Sequence, residues 1–262
     1  MRLKRSKPIA LVLSGVFLLP FAFFLFLSLA ADWRYPALLP VHFSFASWTL
    51  LFSAQSDLLD SFFVSLTIAG CVAFISTLSG FFCSKYIAYH RYKSLLLSFS
   101  YGAYILSPVI YAAIIYYFFI LLNLTATVTG VVIGQLIIIF PFAVIFFSSF
   151  WNKHLKNLSQ LVTTLGGTRL QQYTKVLYPL SKNILLVCFF QTFLISWFEY
   201  GLTSFIGAGR IITLTLRVFE YVQEANPYYA ALSSFLLVMP PVILLWANKK
   251  FIFEDNKLLN YD

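Results

Sequence analysis

The chain has 262 residues, of which 60% are hydrophobic, 19% are aromatic and only 10% are charged, and its formal net charge is +9. Soluble globular domains carry charge on roughly a quarter of their residues, so this composition excludes a soluble domain and predicts an all-α, polytopic membrane protein. The basic residues are spread along the chain in separate segments, which argues against a nucleic-acid-binding surface.

Hydropathy predicts about six membrane spans, because roughly 20 consecutive apolar residues are needed to cross the hydrocarbon core. We place these spans at residues 9–31, 61–82, 95–122, 128–150, 184–206 and 228–247. The first follows a basic segment, as the core of a signal peptide would, but its apolar run exceeds the about 7 to 15 residues of such a core. We therefore retain it as a span and expect residues 1–262 to form a single transmembrane domain.

Lys and Arg residues are distributed asymmetrically over this predicted topology. With the N-terminus in the cytoplasm, every Lys and Arg except Arg34, Arg210 and Arg217 falls in a cytoplasmic segment. Such an excess is typical of cytoplasmic loops, so the pattern predicts that both termini and residues 152–182 are cytoplasmic. The opposite side carries acidic residues, which either contact a partner protein or are simply solvated. They are Asp32, Asp57, Asp60, Glu220 and Glu224.

The sequence contains no recognisable motif for covalent chemistry or nucleotide binding. It has no G-x-x-x-x-G-K-[ST] loop, no H-E-x-x-H helix and no G-x-S-x-G elbow. Cys71, Cys83 and Cys188 fall inside or at the end of predicted spans, so we expect them to be packing residues rather than a disulfide or metal site. If the protein uses energy, the source lies in another chain or in an ion gradient.

The predicted fourth span contains Gly130 and Gly134, which have the spacing of the G-x-x-x-G packing motif. This motif lets two helices approach closely, either within one chain or between two copies of it. Pro108, Pro141 and the Pro240–Pro241 pair are expected to kink their helices, which neighbouring helices make tolerable in a membrane.

The loop at residues 152–182 is predicted to fold as two short helices. Apolar residues recur at helical spacing from Lys153 to Leu165, which predicts an amphipathic helix. Gly166 and Gly167 follow, and glycine permits a sharp exit from a helix. A second helix is expected over residues 168–177, and Pro179 is expected to end it before the fifth span.

The order and spacing of these residues resemble the cytoplasmic loop in permease subunits of binding-protein-dependent ABC importers. The pattern of that family is E-A-A, three residues, Gly, nine residues, a branched apolar residue, one residue, an apolar residue and Pro. The matching positions in this chain are Gln160, Leu161, Val162, Gly166, Val176, Tyr178 and Pro179. The spacing agrees throughout, although the acid and both alanines are replaced.

Further fragments are similar to the permeases of this family for polyamines, thiamine, iron(III), sulfate and phosphonates, in the same order along the chain. They are Trp33–Pro40, Ser61–Leu66, Pro141–Val144, Trp197–Tyr200 and Ile212–Leu216. The resemblance covers nearly the whole chain. It implies a type I ABC importer permease (MetI-like) fold with about six transmembrane helices, located in the bacterial inner membrane.

The resemblance also implies a role for the loop at residues 152–182, which would couple the permease to a cytoplasmic ABC ATPase dimer. The residues it assigns to this coupling are Leu158, Gln160, Leu161, Val162, Leu165, Gly166, Gly167, Val176 and Pro179. ATP and Mg would bind to the ATPase, so no cofactor, metal or catalytic residue is expected in this chain. The other implied partners are a second permease subunit (a copy or a sister chain), an extracytoplasmic solute-binding protein and membrane lipid, but no nucleic acid.

Two interpretations of the loop remain open at this point. In the first, an exposed apolar face made by Leu158, Leu161, Val162 and Leu165 enters a groove on the ATPase. In the second, the loop helix lies on an anionic leaflet, with a set of basic side chains on the lipid. These side chains are Lys153, Lys156, Arg169 and Lys175.

Glu199 is the acidic residue that falls within a predicted span. Intramembrane carboxylates are costly and indicate either a solute pathway or a buried partner. Glu199 lies toward the outer end of its span, so a solvated carboxylate paired with Arg210 is an alternative. Gln135 and Gln191 are weaker candidates for polar groups along the same pathway.

The sequence thus favours a permease subunit that forms a solute pathway and has no ATPase site of its own. A gradient-driven secondary transporter or channel is the alternative, and it predicts several charged residues at mid-membrane and often an internal repeat. An integral-membrane enzyme would need clustered His, Asp or Glu residues, whereas His42, His90 and His154 are dispersed.

Overall fold

The computed structural model describes residues 15, 19, 21–31, 42–51 and 57–255, with the backbone alone for 31, 46, 50 and 247–255. Helices dominate the described residues. The first part contains α1 (residues 21–28), β1 (Ala30–Ala31), β2 (His42–Phe43), α2 (Ala46–Leu51) and α3 (Asp57–Ala88). The next helices are α4 (Lys93–Gly102), α5 (Pro108–Leu121), α6 (Val128–Ser148), α7 (Lys153–Thr164) and α8 (Arg169–Gln171). The last described elements are a π-helix (Gln172–Leu177), α9 (Tyr178–Trp197), α10 (Gly201–Gly207), α11 (Leu214–Gln223) and α12 (Pro227–Asp255).

Four segments of the described chain are long and apolar enough to cross a membrane. They are Asp57–Ala88, Val128–Ser148, Arg169–Trp197 and Pro227–Trp246, and Pro108–Leu121 is a shorter apolar helix. The expectation of an all-α polytopic membrane protein is therefore confirmed. Much of the first predicted span lies outside the described residues, as do Arg2, Lys4, Arg5, Lys7, the fragment Trp33–Pro40 and Lys257.

The third predicted span, residues 95–122, is two helices rather than one. α4 ends at Gly102, and α5 begins at Pro108 after Ser107, whose backbone is extended at φ −69° and ψ 152°. Proline disfavours helical backbone in the residue before it, which explains the break at this point. Tyr104 in the connecting segment donates its hydroxyl to the carbonyl oxygen of Ile138 at 3.0 Å, three residues before Pro141 in α6.

The fifth predicted span, residues 184–206, also differs from the structure. α9 begins earlier, at Tyr178, and ends at Trp197, and the separate helix α10 follows from Gly201. α10 lies very close to α5, because a Cβ added to Gly201 would come within 2.4 Å of the Val109 side chain. Hydropathy cannot detect this break, since the residues on both sides of it are apolar.

The chain divides into two compact units, and the three boundaries between them lie in α3, between α10 and α11, and in α12. One unit consists of the described residues up to Ser65 together with Ile212–Ile243. In it β1 and β2 pair antiparallel, with Ala30 opposite Phe43. The indole Nε1 of Trp48 donates to the Ser28 hydroxyl at 3.2 Å, which links α1 to α2.

Within this first unit Arg217 connects α11 to the start of α3. Its guanidinium pairs with Asp57 at 3.2 Å and with Glu220 at 2.9 Å, and it donates to the Ser61 hydroxyl at 3.1 Å. The backbone N–H of Leu214 also donates to the Ser65 hydroxyl at 2.6 Å. Two of the acidic residues predicted on the outer side are therefore held in ion pairs.

The second unit consists of Leu66–Ile211 together with the end of the chain from Leu244. Its core includes a cluster formed where α3, α6 and α9 meet the loop at residues 152–182. The buried members are Phe81, Ala143, Phe147, Trp151, Leu155, Leu177 and Cys188. The cluster places both ends of the loop in the packed interior of this unit.

Candidate functional site

The first helix of the loop begins with a defined cap. The side chain of Asn152 accepts a hydrogen bond from the N–H of Leu155 at 2.9 Å, which satisfies one of the free donors at the start of α7. Leu155 itself is buried in the core cluster. The cap and this buried leucine together fix the direction in which α7 leaves the membrane-spanning helices.

Glycine ends α7, as the sequence predicted. Gly166 has φ +77°, a left-handed conformation that side chains with a Cβ rarely adopt. The N–H of Gly167 donates to the carbonyl of Val162 at 2.9 Å, and a Cβ at this position would lie 2.6 Å from the Val162 side chain. Thr168 and Gln171 then form a reciprocal capping box that starts α8.

The second arm of the loop returns directly into α9. It consists of α8 and the π-helix, and Gln172 donates its side-chain amide to the carbonyl of Ser159 in α7 at 2.9 Å. We call α7, the Gly166–Gly167 turn, α8 and the π-helix the loop hairpin. Its two arms are joined both at the turn and by this hydrogen bond.

Pro179 does not end the second helix, contrary to the sequence expectation. It lies in the first turn of α9, which continues without interruption from the π-helix. A proline ring clashes with the carbonyl four residues before it in a regular α-helix. The wider π turn immediately before α9 relieves this clash, so the chain can pass through the proline and remain helical.

The apolar face predicted on α7 is divided by the structure. Leu158 and Val162 are half-buried and face the rest of the chain, whereas Leu161 is 57% exposed and Leu165 is 78% exposed. Leu170 on the second arm is 72% exposed and was not among the predicted residues. The exposed large apolar side chains of the hairpin are therefore Leu161, Leu165 and Leu170, which together we call the leucine surface.

The remaining predicted loop residues surround this surface or support it. Gln160 and Pro179 are exposed, and Val176 is half-buried beside the buried Leu177. Lys153, Lys156, Arg169 and Lys175 are all exposed. The hairpin thus presents both an apolar surface and a basic one.

Glu199 and Gln135 belong to one hydrogen-bonded network at the break between α9 and α10. The Glu199 carboxylate accepts from the N–H groups of Leu202 at 2.6 Å and Thr203 at 2.8 Å, and from the Thr203 hydroxyl at 2.5 Å. The amide nitrogen of Gln135, which is 1% exposed, donates to the same hydroxyl at 3.0 Å. Its amide oxygen accepts from Ser196.

This network contradicts the alternative interpretation of Glu199, a solvated carboxylate paired with Arg210. No ion pair joins it to Arg210 among the described residues, and the carboxylate instead caps the start of α10. Carboxylates favour helix N-termini because the first N–H groups have no partner inside the helix. Gln191 lies outside the network, on an exposed position of α9.

Gly130 and Gly134 both make close approaches within the chain. A Cβ on Gly134 would lie 2.6 Å from the side chain of Ile206 and 2.8 Å from that of Leu202, both in α10. A Cβ on Gly130 would lie 1.8 Å from the carbonyl oxygen of Leu124. The two glycines therefore allow α6 to pack tightly against α10 and against the turn that precedes α6.

Replacing Glu199 by Ala is expected to lower the free energy of unfolding by about 2 to 3 kcal/mol, because each buried donor left unpaired costs about 1 to 3 kcal/mol. Glu220→Ala is the matched control. It also removes a hydrogen-bonded carboxylate, but one in a partly exposed ion pair, so we expect a loss of less than about 1 kcal/mol. Thermal unfolding of the purified chain measures both variants, and equal losses would contradict the capping role of Glu199.

A comparison with known proteins finds a partial match. No family model matches the sequence. The chain is 28% identical over 123 residues to the inner membrane ABC transporter permease protein YnjC of Escherichia coli (strain K12). The aligned region is 47% of this chain and 24% of that relative, so the chain spans about a quarter of the relative's length. The chain is thus an all-α polytopic membrane protein that is similar, over about half of its own length, to an inner membrane ABC transporter permease.

Proposed function

We propose that this chain is the permease subunit of an ATP-binding-cassette importer in the bacterial inner membrane. It forms part of the solute pathway and is driven by a separate ATPase. The observation that carries the proposal is the loop hairpin, whose ends are buried in the core while Leu161, Leu165 and Leu170 are exposed. The similarity to an ABC transporter permease supports the same class.

The hairpin has the properties of a docking element. A short helix with an exposed apolar surface can enter a groove on a partner and bury its leucines there. Trp151, Leu155 and Leu177 hold the hairpin to the membrane-spanning helices, so a displacement of its tip moves the attached helices as rigid bodies. ATP and Mg bind to the ATPase, and their hydrolysis drives the alternation between the two states of the permease.

The complete transporter contains two permease subunits, which are either two copies of this chain or this chain and a sister chain. Two ATPase subunits bind on the cytoplasmic side, where the loop hairpin and both termini of this chain lie. An extracytoplasmic binding protein delivers the solute. This topology rests on the excess of Lys and Arg in the segments assigned to the cytoplasm.

Copurification tests this proposal. We expect the tagged full-length chain, extracted in mild detergent from its native membranes, to carry an ATPase whose sequence contains a G-x-x-x-x-G-K-[ST] loop. We expect vanadate to inhibit ATP hydrolysis by the purified complex. A chain that copurifies no ATPase, but still binds vesicles of anionic lipid through the hairpin, would contradict the proposal and support the interfacial interpretation.

A further inference from the structure

The C-terminal end of α3 contacts the first arm of the loop hairpin and the residues that lead into it. The indole Nε1 of Trp151 donates to the hydroxyl of Ser84 at 2.8 Å, and both residues are buried. Just beyond α3, the hydroxyl of Tyr89 donates to the carbonyl of Asn152 at 3.2 Å. The ammonium of Lys156 lies 5.5 Å from the centre of the Tyr89 ring.

The same end of α3 also contacts the second arm. The ammonium of Lys85 donates to the hydroxyl of Tyr173 at 3.1 Å and lies 4.2 Å from the centre of that ring. The ring of Phe82 packs edge-on against Tyr173, with the two centres 5.6 Å apart. Lys85 also lies 5.8 Å from the centre of the Trp151 ring, so one cation lies near an aromatic ring just before the first arm and near another in the second arm.

α6 and α9 are connected to the hairpin through the backbone, whereas α3 is connected to it only through contacts between side chains and backbone groups. α6 is joined covalently to the first arm through residues 149–152, and α9 continues directly from the π-helix of the second arm. Both helices therefore follow any movement of the hairpin. α3 ends at Ala88, far from the hairpin in sequence, so only non-covalent contacts can transmit a movement to it.

We propose that Ser84, Lys85 and Tyr89 form a collar through which the loop hairpin moves α3, with Lys85 as its main positioning residue. The inference rests on the proposed function, since it describes where force from the ATPase enters the membrane-spanning helices. α3 is a continuous helix of 32 residues, and a helix transmits an axial or rocking displacement along its length. Loss of the collar would leave the ATPase bound but weaken the coupling of α3 to it, because α3 would then follow the hairpin only through its packing against α6 and α9.

The native cysteines provide a reporter for this coupling. Cys83 and Cys71 are exposed and lie in α3, whereas Cys188 is buried. Cys71→Ser therefore leaves Cys83 as the exposed cysteine of this chain for a nitroxide spin label. The labelled chain is purified with its ATPase, from which cysteines have been removed, and the spectrum is recorded without nucleotide and after trapping with ATP and vanadate.

We expect the nucleotide-dependent change in the spectrum of the label on Cys83 to be smaller by about threefold or more in Lys85→Met. Mutations along a coupling route change the coupling between two sites by about that factor. Lys85→Arg keeps the cation and should retain the change. Lys93→Met removes the same charge from an exposed position on α4 and should also retain it. ATPase copurification should be unchanged in all three variants. If Lys85→Met is produced poorly, Tyr173→Leu removes the same contact from the hairpin side.

The outcomes separate the two proposals. A full spectral change in Lys85→Met with the ATPase bound would overturn the collar and leave the proposed function intact. If nucleotide trapping does not change the spectrum of the labelled parent complex while the ATPase is bound, the collar would also be overturned and the proposed function would stand. Failure of the parent chain to bind any ATPase would overturn the proposed function and the collar together. Loss of the change in Lys85→Met with rescue by Lys85→Arg would support the collar, because a merely structural lysine would not show this pattern.

Discussion

Leu161→Asp is expected to abolish copurification of the ATPase while the chain still folds. Leu161 lies in the leucine surface and is 57% exposed, so the change disturbs no packed core of the free chain. In the docked state the aspartate would be buried in an apolar groove without a partner. Such a buried, unpaired charge costs several kcal/mol, and we expect affinity to fall by about 100-fold or more. The measurement is the amount of ATPase recovered with the tagged chain.

Thr163→Asp is the matched control for this prediction. It introduces the same charge into the same exposed helix, two residues away and therefore about 160° around the helix axis from Leu161. We expect normal recovery of the ATPase. If both variants lost it equally, the effect would come from charge on the hairpin in general. If Leu161→Asp retained it, docking through the leucine surface would be wrong.

Gly130→Ala is expected to destabilise the chain by about 3 kcal/mol, the upper part of the range for overpacking. The added Cβ would lie 1.8 Å from the carbonyl oxygen of Leu124 and 2.8 Å from its carbonyl carbon. Both atoms are backbone, and the Thr127 hydroxyl donates to that oxygen at 2.7 Å, so a side-chain rotation cannot relieve the clash. The melting temperature of the purified chain should therefore fall by many degrees.

Gly70→Ala makes the same substitution where nothing lies within 4 Å of the added Cβ. Gly70 is inside α3, and alanine in a helix interior is favoured over glycine by roughly 0.5 to 1 kcal/mol. We expect the melting temperature of this variant to be unchanged or slightly raised. Equal melting temperatures for Gly70→Ala and Gly130→Ala would show that α6 does not make this close approach.

Features of the loop hairpin that depend on neighbouring residues could be predicted from the sequence. The periodic leucines indicated α7, which the structure places at Lys153–Thr164, and the two glycines indicated its end. Local features suffice here because helix formation and left-handed turns depend on residues close together in the chain. The break at Pro108 was less evident, since proline was expected to kink a continuous span and instead begins a new helix.

The orientation of individual side chains could not be predicted in the same way. Leu158 and Val162 carry the same apolar pattern as Leu161 and Leu165, yet the first pair faces the chain and the second faces outward. Periodicity shows that a helix has an apolar face, but it does not show how that face is shared between the interior and a partner. Leu170 was not predicted because it lies beyond the glycine turn, outside the helix whose periodicity was followed, and the structure leaves it 72% exposed.

The hydrogen-bond partners of polar groups such as Glu199 could not be predicted from the sequence either. Its position in an apolar segment indicated a carboxylate with a special role, and the structure gives it the start of α10 as its partner. Gln135 and Ser196 are distant from one another in sequence and meet only when α6 and α9 pack together. A hydrogen bond between distant residues depends on this packing, which hydropathy does not encode.

The sequence by itself determined that this is a helical membrane protein and where most of its long helices lie. It also determined that a helical loop with a glycine turn lies between two of them. These properties follow from composition, apolar length and local backbone preferences, which act over a few neighbouring residues. Only the tertiary structure decided which leucines remain exposed, which partner Glu199 takes and how α3 reaches the loop hairpin. Those outcomes depend on contacts between segments that are distant in sequence, where close packing selects one arrangement among many that the same pattern allows.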